Sequence, residues 1–228
     1  ILESEEIFLK NVVGMVKGTD PDLAGQYITL GAHLDHVASG GKAVANGADD
    51  NASGSAGVME IAEALAMNPP KRSVVVIAYA AEEMGLCGSH YFVNAGPISK
   101  EEILFNVNLD MIGRTSKENK ETRSHYVLAD EKYLGDIEPF ITEINQESIQ
   151  YPLIFKNEGD LPGSSDHASY SDVGIPSFFF FSGMHRDLHT PGDDPEKIEY
   201  DKAVKLSRLA YLITMKLANM DEVPAFGE

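Results

Sequence analysis

Apolar segments of two kinds alternate along the chain. Short runs rich in β-branched residues, such as the stretch from Val74 to Ile77, are typical of strands. Longer stretches with apolar residues three or four positions apart are typical of amphipathic helices. The pattern predicts strands over 11–16, 27–32, 73–80, 103–109, 125–128 and 176–181, and helices over 54–67, 86–94, 131–147 and 200–218.

This alternation predicts an α/β fold, a three-layer αβα sandwich with a mixed, mostly parallel central sheet. The strand interiors are nearly all apolar, as expected where helices cover both faces of a sheet. Because no repeat or low-complexity linker interrupts the chain, we expect residues 1–220 to form a single domain and 221–228 to be a frayed tail. The chain begins at Ile1 rather than Met, and we expect it to be cut from a longer polypeptide.

Acidic residues and histidines follow three of the predicted strands directly. His33 and Asp35 follow the second strand, Glu82 and Glu83 the third, and Asp110 the fourth. In open α/β sheets, ligands bind outside the carboxyl ends of the strands. Further candidates stand in two loops, at Asp49, Asp50 and His189.

Two imidazoles and three carboxylates suit zinc or a similar divalent cation. If one carboxylate is shared by two ions, five side chains provide two three-ligand sites. One member of the Glu82-Glu83 pair can then bind metal while its neighbour acts as a general base. Asp35, two residues after His33, can accept the proton on the far imidazole nitrogen and orient the ring.

Six motifs carry a resemblance to a known family: His33-x-Asp35, Gly47-Ala-Asp-Asp-Asn-Ala-Ser-Gly54, Ala81-Glu-Glu-Met-Gly-Leu86, Asn108-Leu-Asp-Met-Ile-Gly113, Ser165-Asp-His167 and His189-Thr-Pro-Gly-Asp193. In these motifs the chain resembles the M28 family of di-zinc exopeptidases, mostly aminopeptidases. The resemblance runs from about residue 11 to 218 and implies a phosphorylase/hydrolase-like zinc peptidase fold.

The resemblance also implies a role for each matching residue. His33 and Asp110 look like the ligands of one zinc, Glu83 and His189 those of the other, and Asp49 the bridge between them. Glu82 looks like the general base and Asp35 the partner of His33. The peptide bond between Asp49 and Asp50 resembles one that is cis in relatives. The supporting residues are Asp50, Ser165, Asp166 and His167, while the other histidines, including His36, match no ligand position.

The resemblance implies hydrolysis of the N-terminal residue from peptides with a free N-terminus. A water between two Zn²⁺ ions, which Co²⁺ or Mn²⁺ could replace, gives its proton to Glu82 and attacks the scissile carbonyl. We expect an apolar first residue, because apolar side chains lie beside the predicted ligands in sequence: Met111, Phe179, Phe181, Met184 and Leu188.

Three alternatives stay open at this stage. A carboxypeptidase or dipeptidase of the same family would need a cation for the terminal carboxylate, which Arg114 or Arg186 could supply. A glutaminyl-cyclase-like acyl transferase typically lines its pocket with tryptophan, and this chain has none. A binding or receptor module that has lost its metal is the third, although every expected ligand type is present here.

The charge of the chain excludes some partners. With 18 Lys and Arg against 36 Asp and Glu, the net charge is −18, which would repel nucleic acid and anionic lipid. The apolar runs are too short to span a membrane. The single cysteine, Cys87, cannot form an internal disulfide and so does not indicate whether the protein works in an oxidising or a reducing compartment. From the resemblance alone we expect a secreted or periplasmic protein. Nothing in the sequence favours a particular oligomeric state.

Overall fold

The structure, a computed structural model, describes residues 8–37, 43–161 and 164–227. The predicted domain 1–220 therefore includes three stretches outside the described residues, 1–7, 38–42 and 162–163, and Glu228 of the predicted tail lies outside them too.

Seven strands form one mixed sheet in the described part of the chain. They are β1 (Val12–Val16), β2 (Tyr27–His33), β3 (Ser73–Tyr79), β4 (Ile103–Asp110), β5 (His125–Ala129), β6 (Leu153–Asn157) and β7 (Ser177–Phe181). Their spatial order is β1-β3-β2-β4-β7-β5-β6. The four central strands β3, β2, β4 and β7 run parallel to one another, whereas β1 pairs antiparallel with β3 and β5 antiparallel with β7.

Helices cover both faces of the sheet. They are α1 (Gly54–Met67), α2 (Cys87–Ala95), α3 (Glu131–Glu147), α4 (Ala168–Ser171) and α5 (Tyr200–Asn219). On one face α1, α3 and α5 bury their apolar sides in a large core with strands β2, β4 and β7. On the other face α2 and α4 enclose a smaller core with β3. The predicted three-layer α/β fold is confirmed.

Strand β7 shows how alternation places side chains on the two faces. Phe178 and Phe180 point into the large core, while Phe179 and Phe181 pack with Met111 in a third apolar cluster on the opposite face. Successive strand residues face opposite sides of a sheet. The same strand thus supplies both the core and the wall of a surface pocket described below.

Two features differ from the sequence predictions. Strand β6 was not predicted, and all five of its residues are only half buried. The C-terminal segment is packed rather than frayed over residues 221–227. Phe226 is 5% exposed and its ring contacts Phe105 and Phe140, with centroids 4.9 and 5.6 Å away. Burial of this aromatic ring against two others stabilises the packed conformation of the segment.

Within the described residues, no helix is both long enough and apolar enough to cross a membrane.

Candidate metal and active site

The predicted ligands meet at the carboxyl edge of the parallel strands. His33 is the last residue of β2 and Asp110 the last of β4, while Glu82 and Glu83 follow β3. His33 Nε2 lies 3.4 Å from Asp110 Oδ1 and 4.0 Å from Glu82 Oε2. The adjacent strands therefore bring three chemically distinct groups, far apart in sequence, to one point.

Asp50 lies between the two predicted histidine ligands. Its Oδ1 is 3.4 Å from His33 Nε2, and its Oδ2 is 3.0 Å from His189 Nε2. His189 Nε2 is also 3.4 Å from Glu83 Oε1. One carboxylate with an oxygen toward each imidazole is the arrangement expected of a bridging ligand.

Asp49, which was predicted to be the bridge, does not lie between His33 and His189; the neighbouring Asp50 does. Asp49 is fully buried, and its Oδ1 accepts hydrogen bonds from the Gly113 amide at 2.6 Å and the Ser53 hydroxyl at 3.0 Å. Its side chain therefore fixes the turn at residues 48–53 to the loop after β4 by hydrogen bonds, instead of facing the histidines. The cis peptide bond lies correspondingly between Asp50 and Asn51, not between Asp49 and Asp50.

Long-range contacts fix the conformation of this turn, which precedes α1. Asp193, fully buried, accepts hydrogen bonds at Oδ2 from the amides of Asp49 and Asp50, at 2.9 and 3.1 Å. The Asn51 side chain donates to the Leu109 carbonyl and accepts from the Met111 amide. These bonds tie the turn both to β4 and to the loop that follows β7.

Asp35 acts differently from its predicted role. The Nδ1 of His33 lies 3.0 Å from the backbone carbonyl of Asp35, while the carboxylate is 3.9 Å away. The carboxylate instead accepts hydrogen bonds from the amides of Glu82 and Glu83, at 3.0 and 3.3 Å. The Asp35 backbone thus orients the imidazole, and its side chain holds the two glutamates in place.

His36, which matched no ligand position in the sequence, belongs to the site. Its Nδ1 lies 3.1 Å from Glu83 Oε1 and 3.6 Å from Asp50 Oδ2, and its ring stacks edge-on against His189. The spacing of His33 and His36 just after a predicted strand was the one available signal.

Two groups of side chains could each hold a cation. His33, Glu82 and Asp110 offer ligand atoms within 4.8 Å of one another, and so do His36, Asp50 and Glu83. The buried Asp110 Oδ1 has no hydrogen-bond partner. Buried polar atoms are nearly always hydrogen-bonded. An orphaned carboxylate oxygen beside imidazoles fits a borderline divalent cation such as zinc.

The electrostatics of the site favour positive charge. Burial, and next the nearby negative charge of Asp110, raise the pKa of Glu82 to about 9. Burial acts to lower the pKa of His33, but Asp110 and Asp50 outweigh it, so that this pKa lies well above its ordinary value. The same clustered carboxylates would be stabilised by a bound cation.

All five predicted substrate-binding side chains line one pocket next to these groups. The pocket has a volume of about 350 Å³. Its apolar wall consists of Met111, Phe179, Phe181, Met184, Leu188 and Leu86, and its polar end of Asp50, Glu82, Glu83, Asp110 and His189.

The Ser165-Asp166-His167 segment lies behind this wall. Ser165 accepts a hydrogen bond from Asn108 at 2.8 Å, and the His167 ring stacks on Phe179 at 4.2 Å. Asp166 is fully buried, and burial raises its pKa to about 7. The neighbouring Ser164, rather than any of these three residues, lines the pocket.

A family model, Peptidase family M28, matches residues 11–214. The chain belongs to peptidase family M28. The resemblance read from the six motifs is therefore confirmed. Among M28 relatives, the chain is 27% identical over 227 residues to Aminopeptidase YwaD of Bacillus subtilis, covering 94% of this chain and 46% of the relative. It is 34% identical over 179 residues to Leupeptin-inactivating enzyme 1 of Streptomyces exfoliatus, covering 76% and 36%.

Solved M28 structures show the same architecture. A zinc aminopeptidase from Bacillus subtilis superposes with a TM-score of 0.76 at 26% identity, covering 93% of this chain and 51% of that one. The LapA aminopeptidase of Legionella pneumophila superposes with a TM-score of 0.76 at 25% identity, and the match covers 93% of this chain and 60% of that one. The chain thus spans between about a third and three-fifths of the length of these four relatives.

Proposed function

We propose that this chain is a zinc-dependent aminopeptidase that removes apolar N-terminal residues. The observation that carries the proposal is the Asp50 carboxylate, which lies between His33 and His189 at the polar end of an otherwise apolar pocket. The names of the relatives as aminopeptidases and zinc metalloproteases support it.

Two cations fit the donors of the site. His33, Asp110 and Asp50 would hold one, and His189, Glu83 and Asp50 the other, with His36 beside the second. Such ions supply Lewis acidity, which polarises the scissile carbonyl and makes water more acidic. Their positive charge also favours the ionised form of Glu82.

Glu82 is the general base of the proposed reaction. It lines the polar end of the pocket, and its amide is held by a hydrogen bond to the Asp35 carboxylate. It takes the proton of the attacking water and delivers it to the nitrogen of the leaving amine. The apolar wall binds the side chain of the first residue, and the surrounding carboxylates attract the free ammonium of the substrate.

A carboxypeptidase is disfavoured by the lining of the pocket. Among the described residues that line it there is neither lysine nor arginine to bind a terminal carboxylate. Arg114 instead pairs with Asp187 at 3.0 Å and Asp193 at 3.5 Å. Hydrolysis of leucyl-alanine amide, but not of N-acetyl-leucyl-alanine, is the outcome expected of an aminopeptidase.

The variant Glu82→Gln tests the assignment of the base. We expect kcat on leucine 4-nitroanilide to fall by about 100-fold or more, since general-base catalysis contributes roughly 10²–10⁴-fold. Metal content, measured by mass spectrometry, should stay that of the wild type. Glu63→Gln, an exposed change on α1, serves as the matched control. Near wild-type turnover in metal-loaded Glu82→Gln would refute the mechanism.

A further inference from the structure

A second cavity of about 620 Å³ carries charge opposite to that of the protein as a whole. We call it the cationic cavity; its lining residues are Arg114, Thr115, Ser116, Lys117, Lys120, Arg123, His185, Arg186 and Glu199. Five of the 18 Lys and Arg of the chain line it, against one of the 36 Asp and Glu. Because the chain as a whole has a net charge of −18, the lining of this cavity is far more positive than the average composition of the protein.

Part of that positive charge is uncompensated. Arg114 and Arg123 are held in ion pairs by acidic residues at 2.7–3.0 Å. By contrast, Lys117 and Lys120 form no ion pair within the described residues, and the nearest acidic contact of Arg186 is long, 3.7 Å to Asp187. Three cations of the cavity are therefore available to a ligand.

Buried polar groups of the cavity also lack partners. The Ser116 hydroxyl is fully buried and makes no hydrogen bond within the described residues. The side chain of His185 is 4% exposed, and neither ring nitrogen is hydrogen-bonded there, although Nε2 lies 3.4 Å from Asp49 Oδ2. Unsatisfied buried polar groups are rare and call for an explanation. A bound group that accepts hydrogen bonds supplies one.

A buried lysine adds to the positive potential beneath the cavity. Lys202 is fully buried, and its Nζ donates to the Arg114 carbonyl and, at 3.1 Å, to the Thr115 hydroxyl. Its ammonium thus lies directly behind two lining residues.

We propose that the cationic cavity binds an oxyanion, either a free phosphate-like ion or the carboxylate of a peptide. Lys and Arg side chains together with hydroxyl and imidazole donors are the groups that recognise phosphate and carboxylate oxygens. The site is separate from the apolar pocket: the loop after β7 gives Met184 and Leu188 to that pocket, and His185 and Arg186 to the cavity. The proposal does not depend on peptidase activity.

The site also touches the support of the metal-binding turn. Arg114 pairs with Asp193, whose other carboxylate oxygen accepts the amides of Asp49 and Asp50. An oxyanion bound in the cavity, which Arg114 lines, is therefore separated by one residue from Asp193, whose carboxylate holds the Asp50 amide.

The test is calorimetric titration of the zinc-loaded protein at low ionic strength with inorganic phosphate. The triple variant Lys117→Gln/Lys120→Gln/Arg186→Gln removes the three available cations and leaves the paired arginines. We expect its affinity for phosphate to be at least tenfold weaker than that of the wild type. Lys10→Gln/Lys17→Gln/Lys216→Gln makes the same change of charge at exposed positions elsewhere and should bind within twofold of the wild type.

A second pair of ligands separates the two sources of the oxyanion. N-acetyl-alanyl-alanine and its C-terminal amide differ only in the carboxylate, and the acetyl group blocks an aminopeptidase from hydrolysing either. If the wild type binds the acid but not the amide, and the triple variant Lys117→Gln/Lys120→Gln/Arg186→Gln binds neither, the ligand is a peptide carboxylate. Binding of phosphate alone identifies a free ion.

Ser116→Ala distinguishes a built site from diffuse attraction. The change removes no hydrogen bond of the described structure, so the fold should survive, and we expect phosphate affinity to fall by about fivefold. Equal affinity in Ser116→Ala and the wild type, equal affinity in the two triple variants, or no binding of phosphate or peptide carboxylate at millimolar concentration would each overturn the proposal.

Discussion

At the scale of single residues, the site depends on which of two adjacent aspartates faces the histidines. Both acids are buried, but only Asp50 lies within 3.4 Å of His33 and of His189. The sequence shows two equivalent carboxylates, and the choice between them is made by Asp193 and Gly113, which lie far away in the chain. Sequence patterns therefore predicted the position of the carboxylate between the two histidines to within one residue but not better.

Asp50→Asn and Asp49→Asn test this distinction. Asp50→Asn should lower the zinc content by at least one ion per chain, because it removes the carboxylate that the two proposed ligand sets, one with His33 and one with His189, would share. Asp49→Asn should keep its zinc but lower the free energy of unfolding, since it removes the charge that accepts the Gly113 amide. Metal analysis and urea unfolding of both variants measure these effects. The reverse result would restore Asp49 as the bridge.

His125 is a buried histidine whose titration affects stability. It is fully buried, both ring nitrogens lack hydrogen-bond partners within the described residues, and burial lowers its pKa well below the usual 6.5. The unfolded chain therefore binds a proton that the folded chain rejects. Stability from this group is full above pH 6.5 and is lost as the pH falls below it, by up to about 1.4 kcal/mol per pH unit.

We expect His125→Leu to flatten this loss of stability in acid. The free energy of unfolding, measured by urea titration between pH 5 and pH 7.5, should fall less steeply in the variant than in the wild type. The exposed His90→Gln on α2 should leave the slope unchanged. The slope, not the absolute stability, is the readout, because a leucine fills the space differently. Equal slopes for wild type and His125→Leu would contradict the prediction.

At the scale of elements, the hydrophobic periodicity of the sequence predicted the helices and strands that pack in the core. The bounds of α1 and α3 agree with the predicted ones, and six strands agree to within two residues. The missed strand β6 is a half-buried edge strand, so neither alternation nor a continuous apolar run marks it. The C-terminal segment was mispredicted because its order comes from Phe226, whose partners on β4 and α3 no local pattern reveals.

Phe226→Ala tests the packing of the C-terminal segment. Removing a buried aromatic side chain costs about 3–5 kcal/mol, so we expect a loss of unfolding free energy near the lower end of that range. Met67→Ala, which removes a side chain that is 75% exposed at the end of α1, should change stability by less than about 0.5 kcal/mol. Thermal or urea unfolding measures both. A frayed segment would give two equally small effects.

At the scale of the whole molecule, the sheet topology made the site predictable. Parallel neighbours β2, β3 and β4 end at one edge, so acidic and imidazole residues that follow them must meet there. His36 and the true role of Asp35 were not predictable, because they depend on side-chain directions within a loop. The cationic cavity was missed for the same reason: its lining comes from three separate segments of the chain, residues 114–123, 185–186 and Glu199.

Removing the metal should destabilise the whole protein. Within the site, Asp50, Glu82, Glu83 and Asp110 crowd together, and bound cations would offset their repulsion. We expect excess chelator to lower Tm by several degrees, since about 1 kcal/mol corresponds to roughly 2–4 °C in a chain of this size. Added zinc should restore Tm, and Asp50→Asn should respond less. A Tm indifferent to chelator in protein shown to contain zinc would refute this.

The ligands of the two proposed cations are spread along the chain from His33 to His189. This separation has a consequence for folding. In a chain with a single cysteine, and so without an internal disulfide, cations shared through Asp50 would act as the long-range cross-link. A clip that closes so large a loop removes more disorder from the unfolded chain than a local one does. Tight metal uptake would therefore report that β2, β4 and β7 have assembled, because His33 ends β2 and His189 lies in the loop after β7.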